Sequence, residues 1–318
     1  MKILITGASG FVGSYLCEEA LRQGHEVWAG MRTSSSRKWL KYDGLRFITL
    51  DLGDRTQLKE QLSEAYDVVI HAAGVTKCLH TEDFYRNNYD CTRNLAKVMG
   101  ENGILPRQFI YVSSLSAEGT SDYGMSKLQA ENFLKEFFST NGSGTDRTRL
   151  TIFRPTGVYG PREKDYFMMV KSIKQHVDFA VGYEPQQLTF IYVMDLVRAI
   201  LTAVGRNDCR HTYNVTDSRV YSSRAFSDLI QKELGVKGVV HITAPLWFLK
   251  VVSTMSEWIS HITGKPSTLN KDKYKIMAQR DWTCDISMLT DQLGYHPQVL
   301  LDEGVKLSIE WYRKQGWI

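Results

Sequence analysis

The sequence predicts an α/β protein, a doubly wound parallel sheet with a smaller, mainly helical C-terminal lobe. Three observations predict it. Short unbroken apolar runs, beginning with Lys2-Ile3-Leu4-Ile5, have the pattern of strands buried on both faces, and up to about residue 160 they alternate with helical periodicity. Glycines 7, 10 and 13 stand between the first such strand and the apolar-periodic run Phe11–Leu21. From Ser222 onward helical patterns dominate, which predicts the lobe.

In Thr6-Gly7-Ala8-Ser9-Gly10-Phe11-Val12-Gly13 the glycines let the backbone turn tightly and approach a ligand. The helix start that follows offers unbonded N–H groups and a positive dipole end. Strand, glycine turn and helix N-terminus in that order form a pyrophosphate cradle, so the sheet is expected to be Rossmann-type. The expected cofactor-binding residues here are Gly7, Ser9, Gly10, Phe11, Val12 and Gly13. Gly13 is expected to let the helix lie close against the strand.

Gly24-His25 closes the next turn, and Glu26–Met31 is the second strand. A site selective for NAD places Asp or Glu near the end of this strand, to bond the ribose 2′-hydroxyl. Here Met31 is followed by Arg32, Thr33, three serines, Arg37 and Lys38, with no carboxylate. A guanidinium binds phosphate through a planar fork of donors. NADP(H) is therefore expected ahead of NAD, with Arg32 on the 2′-phosphate and Ser34, Arg37 or Lys38 assisting. The other reading is a solvated basic loop.

Arg46–Leu50 is the third strand and ends in Asp51-Leu52, where Asp51 also reads as the N-cap of a helix from Arg55. Asp67–His71 is the fourth strand and runs into Ala72-Ala73-Gly74, small residues that let the backbone pass close to a nucleotide. His71 reads as a strand-end residue, not a catalyst. Glu82–Met99 is expected to be one long helix. Gln108–Val112, the fifth strand, delivers Ser113 and Ser114 to the carboxyl edge where open α/β sheets bind ligands.

Tyr123-Gly124-Met125-Ser126-Lys127 then opens a helix, with Tyr123 and Lys127 on one face a turn apart. A free phenol, with a pKa near ~10, is a poor base at neutral pH. An adjacent ammonium and a positive nicotinamide ring favour the phenolate and lower that value. Tyr123 can then give or take the proton of a carbonyl/alcohol pair, Lys127 can bond the nicotinamide ribose, and Ser114 can hold the carbonyl oxygen. These three are the expected catalytic residues, and the other reading is a solvated helix face.

With glycines spaced three and three and a Tyr-x-x-x-Lys pair, the chain resembles the short-chain dehydrogenase/reductase superfamily, specifically its extended, NAD(P)-dependent epimerase/dehydratase branch. The resemblance implies that Asp51 and Leu52 lie against the adenine and that the Ala72–Gly74 loop lies beside the cofactor. Asn87-Asn88-Tyr89-Asp90-Cys91-Thr92-Arg93-Asn94-Leu95 is similar to a family pattern with Gly in place of Cys91, and it implies that Asn88 braces the active-site strand. Arg154 through Pro161 resembles the family's Arg-Pro-x-x-x-Tyr-Gly-Pro, implying that Pro155 and Val158 pass the carboxamide side of the nicotinamide. Asp291–Trp317 is similar to the closing segment. One departure stands out: only eight residues separate Ser114 from Tyr123, where the family has a longer loop. Either the connection is unusually tight or a mobile loop is missing.

The expected dinucleotide-binding domain is 1–160 with 186–218 returning to it, and the expected substrate-binding lobe is 161–185 with 219–318. Asn141–Arg147 reads as an exposed loop, Leu150–Arg154 as the sixth strand and Glu163–Val177 as a helix. Leu188–Val193 and a helix over Asp195–Val204, capped by Asp195, are expected to rejoin the main sheet, with Thr212–Val215 as a further strand. Gly264-Lys265-Pro266 reads as a turn and Trp282–Asp285 as a strand. In the lobe, Tyr166, Phe167, Met168, Met169, Tyr183, Phe190, Trp247, Phe248 and Lys265 are aromatic, apolar or basic candidates for substrate contact, most of them expected in the core.

Bulk composition narrows the partners. A 43% hydrophobic and 23% charged chain of 318 residues is an ordinary globular composition, and a net charge of +4 from interspersed charges gives no reason to expect nucleic acid. Five scattered cysteines without metal-ligand spacing read as reduced thiols in a cytoplasmic protein, with no metal. No leader is expected before a strand that begins at Lys2, and no apolar stretch is long enough to span a bilayer. Pro245–Ile262 is expected as an amphipathic helix covering a core, not a membrane contact, because its polar face is poor in Lys and Arg. The partner is then a small-molecule substrate, with a homodimer through the Tyr123 helix implied by the resemblance. The leading function is an epimerase or oxidoreductase at a hydroxyl/carbonyl centre, with a nucleotide sugar implied by the family. The alternatives are an NADPH-dependent carbonyl reductase resembling the dihydroflavonol-reductase type and a non-catalytic dinucleotide sensor.

Overall fold

The computed structural model describes residues 1–140, 148–209, 211–263 and 271–318, with the side chains of 257–263 excepted. The expected loop at Asn141–Arg147, the turn at Gly264–Pro266 and Lys265 lie outside these residues. The chain begins β1 (Lys2–Thr6), α1 (Phe11–Arg22), β2 (Glu26–Met31), β3 (Arg46–Thr49), α2 (Arg55–Gln61) and β4 (Val68–His71). It continues with α3 (Thr81–Phe84), a π-helical turn over Tyr85–Asp90, α4 (Cys91–Glu101) and β5 (Gln108–Val112). A 3₁₀ turn over Leu115–Glu118 precedes α5 (Asp122–Thr140), β6 (Arg149–Pro155), β7 (Gly157–Tyr159), α6 (Asp165–Lys174) and β8 (Val177–Val181). Then come β9 (Gln187–Leu188), β10 (Phe190–Tyr192), α7 (Val193–Thr202), β11 (Thr212–Val215), β12 (Tyr221–Ser222) and α8 (Ala225–Leu234). The last elements are β13 (Val240–Ala244), α9 (Leu246–Thr263), α10 (Lys271–Ala278), α11 (Ser287–Leu293) and α12 (Leu301–Lys314).

Seven strands form one sheet in the order β11-β6-β5-β4-β1-β2-β3. All pair parallel, with Ile5 at the centre opposite Ala29 on one side and Ile70 on the other. At the β6–β11 edge the bonds Ile152 N→His211 O and Thr156 N→Val215 O advance together, again parallel. The chain winds outward from β1 to β3, then returns to β4 on β1's other side, which makes the sheet doubly wound. Buried Leu4, Val69, Phe109 and Ile152 of the sheet pack with Leu58 of α2, Leu95 and Met99 of α4, and Leu134 and Phe138 of α5. These short apolar strands are covered on both faces, as their unbroken hydrophobicity predicts.

The chain forms two compact units: Met1–Arg154 with Val197–Asn214 and Ser287–Tyr295, and Pro155–Leu196 with Val215–Ile286 and His296–Ile318. The second unit has its own core, in which Tyr159, Ile173, Phe190, Phe226, Ile230 and Ile309 are buried together. Among the described residues no helix is long and apolar enough to cross a membrane.

Several expected elements differ. The long helix over Glu82–Met99 is interrupted by the π-helical turn at Tyr85–Asp90, an inserted residue that turns Asn88 inward, where it is fully buried. Leu188–Val193 does not rejoin the main sheet, because β9 pairs with β12 and β10 with β7 in separate two-stranded ribbons. Glu163–Val177 is helical only over Asp165–Lys174, and Val177 instead starts β8. Trp282–Asp285 is not a strand, and the contact there is a single bridge from Gln187 to Asp281. Asp195 is not the cap of its helix, which begins two residues earlier at Val193. Instead its fully buried carboxylate accepts from the backbone N–H groups of Gln298 (3.0 Å) and Val299 (2.8 Å), fixing the chain just before α12. Helix α9 forms as expected, yet it buries Ser253 and Leu249 while Trp247, Phe248, Val251 and Met255 are exposed.

Removing the Asp195 carboxylate strands two backbone donors in an apolar setting. Asp195→Ala is expected to cost about 2–3 kcal/mol, read as a lowered thermal unfolding midpoint, with Asp195→Asn recovering part of it. An unchanged midpoint would remove Asp195 from this role.

Candidate active site

Every unit-one residue singled out above stands at or just beyond the carboxyl end of a parallel strand, or on the helix that follows it. Gly7 turns the chain out of β1 at φ +70°, a conformation open to glycine at little cost. A Cβ on Gly7 would lie 2.6 Å from the Ala73 nitrogen, so the turn and the Ala72-Ala73 loop after β4 touch backbone to backbone. Gly10 donates to the Gly7 carbonyl at 2.9 Å and then caps α1 with no side-chain bond to the helix start. A Cβ on Gly13 would stand 2.1 Å from that same Gly7 oxygen. With half-buried Ser9, Phe11 and Val12 lining the turn, the amides of residues 11–13 have no helical carbonyl to bond. Bare N–H groups at a dipole's positive end suit a pyrophosphate, so the residues present fit a dinucleotide.

Arg32 is exposed just past β2. Of its expected assistants, the Arg37 guanidinium lies 4.1 Å over the Phe47 ring and the Lys38 ammonium 4.5 Å over Trp39. Past β3, Asp51 Oδ1 accepts from Gly53 N at 3.0 Å and Asn94 Nδ2 donates to Leu52 O at 3.0 Å. The helix-cap reading of Asp51 is corrected, since Asp54 Oδ1 caps α2 by accepting from Thr56 N (2.9 Å) and Gln57 N (3.0 Å). Arg32 and Asp51 both act on Cys91, whose thiol is pushed up to about 11, first by burial, then by the Asp51 and Asp90 carboxylates and against Arg32.

Beyond β4, Asn88 clamps the loop. Its Oδ1 accepts from Val75 N (2.8 Å), and its Nδ2 donates to Val75 O (3.1 Å) and to Ser126 Oγ (2.9 Å). Ser126 Oγ in turn donates to Tyr123 O at 2.7 Å, so the loop after β4 and the Tyr123 turn are tied by one amide. A Cβ on Gly74 would lie 2.9 Å from Asn88 Oδ1 and 3.4 Å from Lys127 Nζ. His71 is fully buried between Thr6 Oγ1 (2.6 Å) and Thr92 Oγ1 (2.8 Å). Thr92 spends its only hydroxyl hydrogen on Asn88 O (2.6 Å), so His71 must donate from Nε2 and accept at Nδ1. Burial, helped by the Lys127 ammonium, pushes His71 down to about 3 and keeps it neutral, a sheet-end linker between β1 and α4.

Lys127, one turn after Tyr123, is buried and donates from Nζ to the Val112 carbonyl at 2.8 Å, 4.6 Å over the Tyr111 ring. Burial pushes its ammonium down to about 7, with the Glu131 carboxylate pulling the other way. The Tyr123 ring packs 6.1 Å from Phe84. Ser114 Oγ accepts from Ser116 N at 3.1 Å and caps the 3₁₀ turn. The short Ser114–Tyr123 connection is this turn, then Gly119, Thr120 and Ser121, and the start of α5 at Asp122. A Cβ on Gly124 would stand 1.9 Å from Ser116 O, so only glycine lets the two segments meet.

Glu131 was not singled out by the sequence reading. Fully buried, it accepts from Ser113 Oγ (2.6 Å) and from Arg154 Nε (2.9 Å) and Nη2 (2.7 Å), while Arg154 Nη1 reaches Glu118 (2.7 Å). Its spacing one turn beyond Lys127 was the available signal. Pro155 ends β6 and Val158 lies in β7, both in the second unit. Of the lobe candidates, Phe190 is core and Tyr166 and Phe167 pack against it, while Met168, Tyr183, Trp247 and Phe248 are exposed. Among the described residues, no cluster of three His, Cys, Asp or Glu side chains could hold a metal.

Gly13→Ala is expected to push α1 off β1, weakening dinucleotide binding at least about tenfold and lowering stability by about 1–3 kcal/mol. Titration calorimetry and thermal unfolding measure the two effects, and wild-type affinity would show that the close approach is not needed.

The family model described as the NAD dependent epimerase/dehydratase family matches residues 3–216. Ceramide reductase from Caulobacter vibrioides is 25% identical over 322 residues, covering 99% of this chain and 96% of that protein. UDP-glucose 4-epimerase from Vibrio cholerae is 25% identical over 336 residues, covering 97% of this chain and 94% of that protein. The solved structure of UDP-glucose 4-epimerase with UDP-glucose from Thermotoga maritima superposes with a TM-score of 0.77 at 21% identity, covering 99% of each chain. That structure supports the fold, and the family match spans about two thirds of the sequence. The chain belongs to the NAD dependent epimerase/dehydratase family, an extended short-chain dehydrogenase/reductase enzyme.

Proposed function

We propose that the enzyme transfers hydride at a hydroxyl/carbonyl centre with NADP(H), using Tyr123 as acid/base, and that its substrate is a nucleotide sugar. One observation carries the chemistry. The Lys127 ammonium is held on the Val112 carbonyl at the carboxyl end of β5, a turn from Tyr123 on the same helix face. A positive charge fixed there favours the phenolate of a neighbouring tyrosine, and a lysine brought near neutrality by burial can pass a proton on.

In this reading the dinucleotide, when bound, supplies the hydride acceptor or donor. The amides at Gly7–Gly13 bind its pyrophosphate, Asp51, Leu52 and Ala72–Gly74 line its adenosine side, and Pro155 and Val158 its carboxamide side. Tyr123 moves the proton at the substrate oxygen, and Ser114, already accepting from Ser116, directs its own hydrogen to that oxygen. Residues 1–160 with 186–218 serve the dinucleotide, and 161–185 with 219–318 serve the substrate. The nucleotide-sugar class is supported by the UDP-glucose 4-epimerase relative. A cytoplasmic homodimer paired through the Tyr123 helix belongs to the same reading.

A second reading is a carbonyl reductase on an apolar substrate. It is favoured by the ceramide reductase relative and by the exposed Trp247, Phe248, Val251 and Met255 of the second unit. A dinucleotide sensor without turnover has no use for a buried lysine beside a tyrosine.

Tyr123→Phe should fold and bind dinucleotide normally while turnover falls about 10²–10⁴-fold. The assay follows UDP-glucose epimerisation and, separately, NADPH oxidation with a long-chain ketone. Unchanged turnover in the variant would free Tyr123 of the acid/base role, and activity only on the ketone would select the second reading. Arg32→Ala should weaken NADPH at least about tenfold and leave NADH nearly untouched, as expected for loss of a phosphate fork. Equal titrations of the two dinucleotides in the wild-type enzyme would refute the NADP preference.

A further inference from the structure

The second unit carries an apolar surface that its own core does not cover. On α9, Trp247, Val251 and Met255 recur every four residues and form one stripe, exposed by 69%, 50% and 60%. Just upstream, β13 pairs with β8 so that Ile242 lies opposite Phe179, and both are exposed on the same side of the ribbon. Tyr183, exposed by 75%, follows β8 beside Gly182, against which the Arg280 guanidinium packs. Two aromatic rings and an amphipathic tyrosine at such exposure are unusual for a surface facing only water.

Charge identifies the occupant. Among the described side chains from the start of α9 to the end of α10 there are four lysines (250, 271, 273, 275) against Asp272. That is three of the chain's four net positive charges in about a tenth of its length. Asp272 is buried, while Lys250, Lys271 and Lys275 are exposed. Lys250 falls within the apolar stripe itself, three residues after Trp247 and one before Val251. A lysine is depleted from the centre of protein–protein interfaces, but at a bilayer its stem lies along apolar neighbours and its ammonium reaches the headgroups. An exposed aromatic stripe edged by lysines is the composition of a helix lying in an anionic lipid interface.

Pro245–Ile262 is not expected at a membrane because its polar face is poor in Lys and Arg, an expectation that has the apolar face turned inward. The structure turns Ser253 and Leu249 inward and leaves Trp247, Val251 and Met255 exposed. The needed lysines lie within the stripe and on α10.

We propose that α9, with the exposed edge of the β8–β13 ribbon, docks this enzyme on an anionic lipid bilayer surface without crossing it. The inference rests on surface chemistry alone and stands or falls apart from the choice of substrate.

Flotation of the full-length chain with phosphatidylcholine vesicles, with and without phosphatidylglycerol, tests it. Binding is expected to the anionic vesicles, to weaken as salt rises, and to fall at least about tenfold in Trp247→Ser and in Lys250→Glu. Both positions are exposed, and circular dichroism confirms that the variants fold. Absence of binding at low salt would overturn the proposal, as would binding that neither substitution changes. A dimer in sedimentation velocity that Trp247→Ser dissociates, without vesicle binding, would overturn it in favour of a second copy of the chain.

Discussion

The first unit depends on a clearance of a few ångströms around the Gly7 carbonyl. Gly10 donates to it, Gly13 lies so close that a methyl group would collide with it, and Gly7 itself presses on the Ala72-Ala73 backbone. The start of α1 therefore closes on the Gly7 oxygen while the loop after β4 closes on the Gly7 α-carbon, with no side chain to hold the segments apart. What this leaves is an opening at the start of α1 with its amides uncovered, at the carboxyl edge of β1. Because β4 and β5 run parallel to β1 in register, Ile5 opposite Ile70 and Ile70 opposite Ile110, the same edge delivers Ala72–Gly74 and Ser113–Ser114. The placement of the chemistry is thus a consequence of sheet direction and backbone contact, before any reactive side chain is considered.

The buried charged side chains beside β5 are held by a second set of constraints, electrostatic in nature. Lys127 and Glu131 sit one turn apart on α5, both buried. Both are secured at the end of β5, Lys127 on the Val112 carbonyl and Glu131 on Ser113, and Glu131 also holds Arg154 of β6. A buried ammonium without such partners would be deprotonated or expelled. Here burial lowers Lys127 only to about 7, because the carboxylate one turn away resists the shift. Asn88 and the neutral His71 complete the frame with uncharged bonds, beside a lysine that burial brings down to about 7.

Much of this was legible in the chain itself. Buried parallel strands need continuous apolar runs, and glycine spacing and a Tyr–Lys pair take geometric meaning from the strand and helix beside them. Asp54 directly precedes Arg55 and so holds the cap position of α2, a local signal that the assignment of the cap to Asp51 passes over. What was not legible depends on long-range geometry. The π-helical turn at Tyr85–Asp90 arises from the bonds Asn88 makes thirteen residues upstream and thirty-eight downstream. Asp195 carries the composition of a cap, yet its bonds reach residues 298 and 299, a hundred positions on. Helix α9 has a periodic apolar stripe, and periodicity alone says that a face exists, not which way it turns.

The same distinction separates what the family shares from what sets the substrate. The family match ends at residue 216, after β11 closes the sheet, and so covers the glycine cradle, the Tyr123–Lys127 helix and the Glu131–Arg154 pair. Relatives at 25% identity along nearly the whole chain bear names as different as a ceramide reductase and a UDP-glucose 4-epimerase. In the reaction proposed above a hydride moves at one carbon and a proton at the oxygen it bears, and both would call on the same cradle and the same phenol whatever the rest of the molecule is. Residues 217–318 lie outside that match, and there α9 turns aromatic side chains outward and buries a serine. A surface so arranged gains little from water and much from an apolar phase, which is why the proposed bilayer contact lies on that helix and not on the sheet that the family shares.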